Sequence, residues 1–285
     1  MNLGNIFNNF INNIAYLERI FETIDEPVTV KDAEHAIKMP KIRGKVTFDH
    51  VTFAYDETKT ILKDVSFTVN PGESVALVGP TGAGKSTIVN LISRFYNVND
   101  GKVLIDDQDI ADVTIHSLRA QMGIMMQDSF IFSGTIADNI RYGKLDATQE
   151  EIEKAGKIVC ADPFIREMSK GYETQGRERG SMLSQGQKQL ISFARTLLCD
   201  PAILILDEAT SSIDVQTEKA LQTGLNRMLK GRTSFIIAHR LSTIRGCDKI
   251  MYIDDGGIAE AGTHEELMKK KGRYYKLYTA QKSLH

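Results

Sequence analysis

Apolar residues in the first two dozen positions recur at steps of three and four: Ile6, Phe10, Ile14, Leu17, Phe21 and Ile24, with Asn, Glu and Arg between them. That spacing puts them on one stripe of an amphipathic helix over residues 1–24. The stripe either packs on its own domain or is the end of a longer element whose partner is not in this sequence. Residues 25–44 (DEPVTVKDAEHAIKMPKIRG) are polar, hold two prolines and show no period, so they read as a linker. From Lys45 the period becomes two: KVTFDHVTFAY and ILKDVSFTV alternate as half-exposed strands do. ESVALVG then runs apolar, the pattern of a strand buried on both faces, and KSTIVNLISRFY follows with helical spacing. GKVLIDDQDI and GIMMQ predict further short strands, and a mainly helical block spans about 133–200. PAILILDE and TSFIIAHR read as buried strands around the helix TEKALQTGLNRML, DKIMYIDDGGIAEAG as a hairpin, and HEELMKKKGRYYKLYTAQ as helix. Strands alternating with helices predict an α/β domain with a mostly parallel, buried sheet, interrupted by a helical block.

Composition narrows the partners. Thirty-five Lys and Arg against 37 Asp and Glu give a net charge of −2, with no basic footprint for nucleic acid. Three cysteines, Cys160, Cys199 and Cys247, are odd in number and far apart, which predicts free thiols in a reducing compartment. No run reaches the roughly 18 apolar residues of a spanning helix, and MNLGNIFNNFINN lacks the basic and apolar regions of a signal peptide. The chain is therefore expected to be soluble and cytoplasmic.

The candidate chemistry begins at GPTGAGKST, comprising Gly79, Pro80, Thr81, Gly82, Ala83, Gly84, Lys85, Ser86 and Thr87, between a buried strand and a helix. This matches the phosphate-binding pattern G-x-x-x-x-G-K-[ST] in the context that confirms it. The glycines let several N–H groups converge on phosphate oxygens, and the helix N-terminus adds its positive dipole end. Lys85 can span the β- and γ-phosphates, while the Ser86 hydroxyl can ligate Mg²⁺. The strand AILILDE supplies Asp207, placed to hold Mg²⁺ directly or through water, and then Glu208, placed to accept a proton from water aligned on the γ-phosphate. A nucleotide site follows, but small-molecule kinases carry the first motif too, so the reaction stays open here. SMLSQGQKQLISFAR, residues 181–195, presents Ser184 and Gly186 at the start of a helix, as a cap or as an anion site.

Together with Gln127 and His239, the order of these motifs resembles the nucleotide-binding domain of ATP-binding cassette (ABC) transporters over residues 45–285. The resemblance implies a phosphate-loop NTPase core with an N-terminal antiparallel β subdomain and an inserted helical subdomain. In that family a signature normally reading LSGGQ precedes the acidic strand; here it is Leu183-Ser184-Gln185-Gly186-Gln187. By the same resemblance Tyr55 stacks on adenine, Gln127 approaches Mg²⁺ and the attacking water, His239 contacts the γ-phosphate, and Asp214 lies in a loop that crosses to the opposite subunit. Ser184, Gly186 and Gln187 are implied to meet the γ-phosphate of a second chain's ATP, so the resemblance implies a head-to-tail homodimer or heterodimer around ATP. GRERG (176–180), SGTIADNIRYG and the terminal stripe ending YLERIFETIDEP resemble exporters. This implies a membrane domain in the same polypeptide, outside this sequence, and a place on the cytoplasmic side of a membrane. A soluble or importer-type ABC ATPase is the alternative; it accounts for neither the terminal stripe nor GRERG. A chromosome-maintenance ATPase would need sustained coiled-coil heptads, which are absent, and a small-molecule kinase would lack the signature, Gln127 and His239 together.

Overall fold

The structure, a computed structural model, describes residues 3–56, 58–126, 129–176, 180–207, 215–238 and 240–282. The chain divides into two compact units, Met1–Lys31 and Asp32–His285. In the first, α1 (Leu3–Ile24) is a continuous helix with no buried residue. Its stripe residues Ile6, Phe10, Ile14, Leu17, Phe21 and Ile24 are 48 to 68% exposed.

The second unit begins inside the expected linker. Ile37 pairs with Val113 in an isolated bridge. The Met39 N–H donates to the Ser117 hydroxyl at 2.8 Å and the Ile42 N–H to Gln121 Oε1 at 2.9 Å. The Asp106 carboxylate accepts the N–H groups of Arg43, Gly44 and Lys45. Residues 32–44 lack a period because side chains far along the chain, not a ladder or helix, satisfy their backbone.

Strands β1 (Val46–Ala54) and β2 (Thr60–Val69) pair antiparallel. After β3 (Ser74–Val78) comes α2 (Lys85–Ile92). Then β4 (Asp100–Ile105) and β5 (Gln108–Asp109) complete a four-stranded antiparallel sheet in the order β2-β1-β4-β5. The short helix α3 (Ile115–Arg119) leads to β6 (Met122–Met125). The helical block follows as α4 (Ile136–Arg141), α5 (Gln149–Ile158), α6 (Asp162–Glu167) and α7 (Gln185–Leu198). Thr135, Thr148 and Ser184 cap α4, α5 and α7 through reciprocal bonds with the residue three positions on.

The chain returns through β7 (Ile203–Asp207), α8 (Val215–Leu229), β8 (Thr233–Ile237) and α9 (Leu241–Gly246). The hairpin β9 (Lys249–Asp254) and β10 (Gly257–Gly262) and the helices α10 (His264–Lys270) and α11 (Arg273–Lys282) close it. The second sheet has six strands in the order β10-β9-β3-β8-β7-β6, parallel except for β10.

Two apolar cores explain why its central strands lack alternation. Val75, Leu77, Ile203, Ile205 and Phe235 pack on one face with the antiparallel sheet and α2. Ala76, Val78, Leu204, Leu206 and Ile236 pack on the other with the helical block. Successive side chains point to opposite faces, both dry, so every position favours an apolar residue. Truncating one of the leucine or isoleucine side chains among them to alanine costs about 2–5 kcal/mol.

Candidate active site

The parallel strands β3, β8, β7 and β6 end at one edge, in register: Leu77 pairs with Ile237, Asp207 with Ile237 and Leu206 with Met125. Open α/β sheets bind ligands outside the carboxyl ends of their strands, and Asp207, the last residue of β7, falls there.

The loop after β3 takes its shape from glycine. Gly79 has φ 138° and Gly84 φ 106°. A Cβ on Gly79 would overlap the carbonyl oxygen of Ile253, and one on Gly84 would stand 2.8 Å from Leu62 Cδ2. Both positions therefore disfavour a side chain by conformation, and Gly79 excludes one by space as well, because its clash is with backbone. Gly84 also precedes α2 without a side-chain cap, which leaves the first N–H groups of α2 to a ligand. Ala83 and Thr87 are buried; Pro80, Thr81, Gly82 and Ser86 are exposed along the loop.

Lys85 folds back over this loop, its ammonium donating to the carbonyls of Gly79 at 2.8 Å and Pro80 at 2.7 Å. Burial pulls its pKa below the ordinary lysine value, and the negative charge of Asp207 partly opposes that shift. The two side chains, 122 positions apart in sequence, thus share one electrostatic site. Asp207 ends β7 partly buried.

Tyr55 follows β1 and is 47% exposed. Its hydroxyl is 3.1 Å from that of Thr87. The rings of Phe53 and Tyr96 each stand nearly perpendicular to it, with centroids at 4.9 Å, a favourable edge-to-face arrangement. The phosphate loop and the aromatic candidate are therefore joined directly. Tyr96 and Phe53 were not legible as part of this site; the only signal was an aromatic pair ending the helical run after the loop.

Ser184 and Gln187 stand at the start of α7. The Gln187 N–H donates to Ser184 Oγ at 3.2 Å, and the Ser184 N–H donates to Gln187 Oε1 at 3.0 Å. Gln185 is the first helical residue and is not among the residues with positive φ, so a side chain fits there without strain. Gly186 is buried. The hydrogen bonds of Ser184 and Gln187 stay within this cap. Gln127, Glu208, Asp214 and His239 lie outside the described residues; the strands β6, β7 and β8 that lead to Gln127, Glu208 and His239 end at the common edge.

Among the described residues no cluster of three or more His, Cys, Asp or Glu could hold a metal ion. Ser86 and Asp207 suit a hard divalent cation that also binds phosphate oxygens and water, which does not require a protein cage.

A family model described as ABC transporter matches residues 62–211. An uncharacterised ABC transporter ATP-binding protein of Bacillus subtilis is 52% identical over 281 residues, covering 99% of this chain and 46% of that protein. A fatty acid ABC transporter ATP-binding/permease protein of Mycobacterium bovis is 44% identical over 278 residues, covering 98% of this chain and 44% of that protein. Among solved structures, a bacterial Atm1-family ABC exporter with ATP bound aligns with a TM-score of 0.86 and 42% identity, covering 98% of this chain and 49% of that one. The chain spans about half the length of the curated relatives it matches.

Proposed function

The chain belongs to the ABC transporter family, and we propose that it is the nucleotide-binding domain of an exporter: an ATPase that closes as a dimer around ATP and moves an attached membrane domain. The observation that carries the reading is the glycine-shaped loop after β3 with Lys85 folded over it, sharing an electrostatic site with Asp207 at the end of β7, one strand removed in the parallel sheet. Likeness to proteins named as ATP-binding/permease, about twice as long as this chain, supports a membrane domain in the same polypeptide. With such a membrane domain, this one would work on the cytoplasmic side of a membrane; no helix among the described residues is long and apolar enough to cross one.

Adenine stacks on Tyr55, and the loop N–H groups with the start of α2 take the phosphates. Lys85 exchanges its two carbonyl acceptors for phosphate oxygens, a trade that keeps the ammonium bonded throughout. Mg²⁺ would be held by Ser86, Asp207 and Gln127, where it neutralises charge on the phosphates. Glu208 accepts the proton of the attacking water, with Gln127 and His239 aligning water and γ-phosphate; the acceleration comes from position and electrostatics. The opposite face of the nucleotide meets the partner chain's Ser184 cap and Asp214 loop.

An exposed aromatic group supports the membrane-domain partner. Phe130, Phe132 and Tyr142 are 50, 37 and 52% exposed. Phe132 and Tyr142 stack at 4.4 Å, with the Arg195 guanidinium 5.2 Å from the Phe132 ring. Arg195 in turn donates to the Asn139 and Phe130 carbonyls, which holds the group rigid from α7. The test of the reading is nucleotide titration with a turnover assay: the chain binds and hydrolyses ATP, specific activity rises with protein concentration, and Lys85→Ala abolishes binding or hydrolysis. A flat concentration dependence would count against catalysis in a dimer.

A further inference from the structure

Gln189, in the second turn of α7, is only 6% exposed, and its amide oxygen has no hydrogen-bond partner. Buried acceptors of this kind are rare in folded proteins and call for a donor that is not a protein atom. Gln189 lines a cavity of about 20 Å³, against the roughly 10–15 Å³ that one water needs. The apolar wall is made by Met125, Leu206 and Ile236, at the carboxyl ends of β6, β7 and β8. The polar wall is Gln189 together with Gln222 of α8 and Arg240, which precedes α9. Gln222 already donates to Asn226 at 3.2 Å and accepts from Ser242 at 3.1 Å, which leaves its amide a second N–H.

We propose that a single ordered water occupies this cavity, donating to Gln189 Oε1 and accepting from Arg240 or Gln222. This makes Gln189 a positioning residue that ties α7 to α8 or to Arg240, beside the carboxyl-terminal ends of β6, β7 and β8. The cavity meets the requirements of an ordered water: room for one molecule, an acceptor in need of a donor, and two cationic or amide donors opposite. Its place gives the water a consequence. The helix that begins at the Ser184 cap is linked, about one turn on, to Gln222 of α8 or to Arg240 before α9, next to the ends of β7 and β8. The kinetic part of the proposal rests on the ATPase reading above; the water site does not.

The test is Gln189→Met, an unbranched apolar substitute of similar size, compared with wild type in crystals that resolve ordered solvent and in ATP binding, turnover and thermal unfolding. Wild type is expected to show one water within hydrogen-bond distance of Gln189 Oε1, and the variant none. Methionine removes the acceptor and the water together, which leaves the unfolding midpoint nearly unchanged. ATP affinity should stay within about twofold while kcat falls about tenfold, the scale seen when supporting partners of a site are removed. An empty cavity in wild type, or a wild-type kcat in the variant, overturns the proposal. So does a parallel fall of midpoint and kcat, which would assign Gln189 to packing alone. If wild type itself hydrolyses no ATP, the ATPase reading fails, and the solvent map alone decides the water site.

Discussion

Ser184 has two duties that substitution can separate. In the chain itself it caps α7 through the 3.2 Å and 3.0 Å bonds with Gln187. In the proposed dimer it faces the γ-phosphate of the opposite ATP. Ser184→Ala removes the cap, at a cost of about 1 kcal/mol, and should lower the unfolding midpoint by about 2–4 °C for a unit of this size. Ser184→Asp keeps the cap, since aspartate accepts the same N–H as well as serine does. It also sets a negative charge against the phosphate. At about 4 Å the repulsion is ~4 kcal/mol near a protein surface and ~1 kcal/mol if water screens it fully. ATP-dependent association should therefore weaken between about fivefold and a thousandfold. The assay pairs differential scanning calorimetry without nucleotide with sedimentation at graded ATP concentrations. An aspartate variant with a wild-type midpoint and wild-type ATP-dependent association would refute the placement of Ser184 against phosphate. An alanine variant with an unchanged midpoint would refute the cap.

Gln185→Gly should alter dimer affinity more than turnover, because Gln185 already has a helical backbone; near-complete loss of hydrolysis would give its side chain a chemical part. Burial lowers the Lys85 pKa and Asp207 counteracts it. Phosphate needs the charged ammonium, so ATP affinity should fall as pH rises toward that lowered value, before an ordinary lysine would titrate. Asp207→Asn removes the opposing charge and should move the fall to lower pH; calorimetric titration without added metal, showing no such movement, would contradict the pairing. Gly79→Ala should abolish nucleotide binding through its clash with Ile253, measurable by fluorescence titration, whereas tolerance of that methyl would mean the loop is shaped differently.

What was legible followed from periodicity and short motifs. The alternation in KVTFDHVTFAY gives β1, and the unbroken SVALV gives β3, because burial on one or two faces writes itself into successive residues. GPTGAGKST was readable because its glycines answer to local backbone conformation. The fold of residues 32–44 was not, since Asp106, Ser117 and Gln121 satisfy that backbone from more than sixty positions away. Tyr96 escaped for the same reason: its contact with Tyr55 joins the end of α2 to the end of β1, and no spacing rule connects them. Gln189 read as one polar residue of an amphipathic helix; only the packing of α7 and α8 over three strand ends makes it a buried acceptor.

In the proposed cycle two chains close around ATP, and Glu208 is the base whose action lets them part. The most direct measurement is the mass of Glu208→Gln in solution, by sedimentation or light scattering, with ATP, with ADP and without nucleotide, alongside its turnover. A stable dimer is expected with ATP only, together with almost no hydrolysis. A variant that stays monomeric at saturating ATP, or that hydrolyses at close to the wild-type rate, would contradict it.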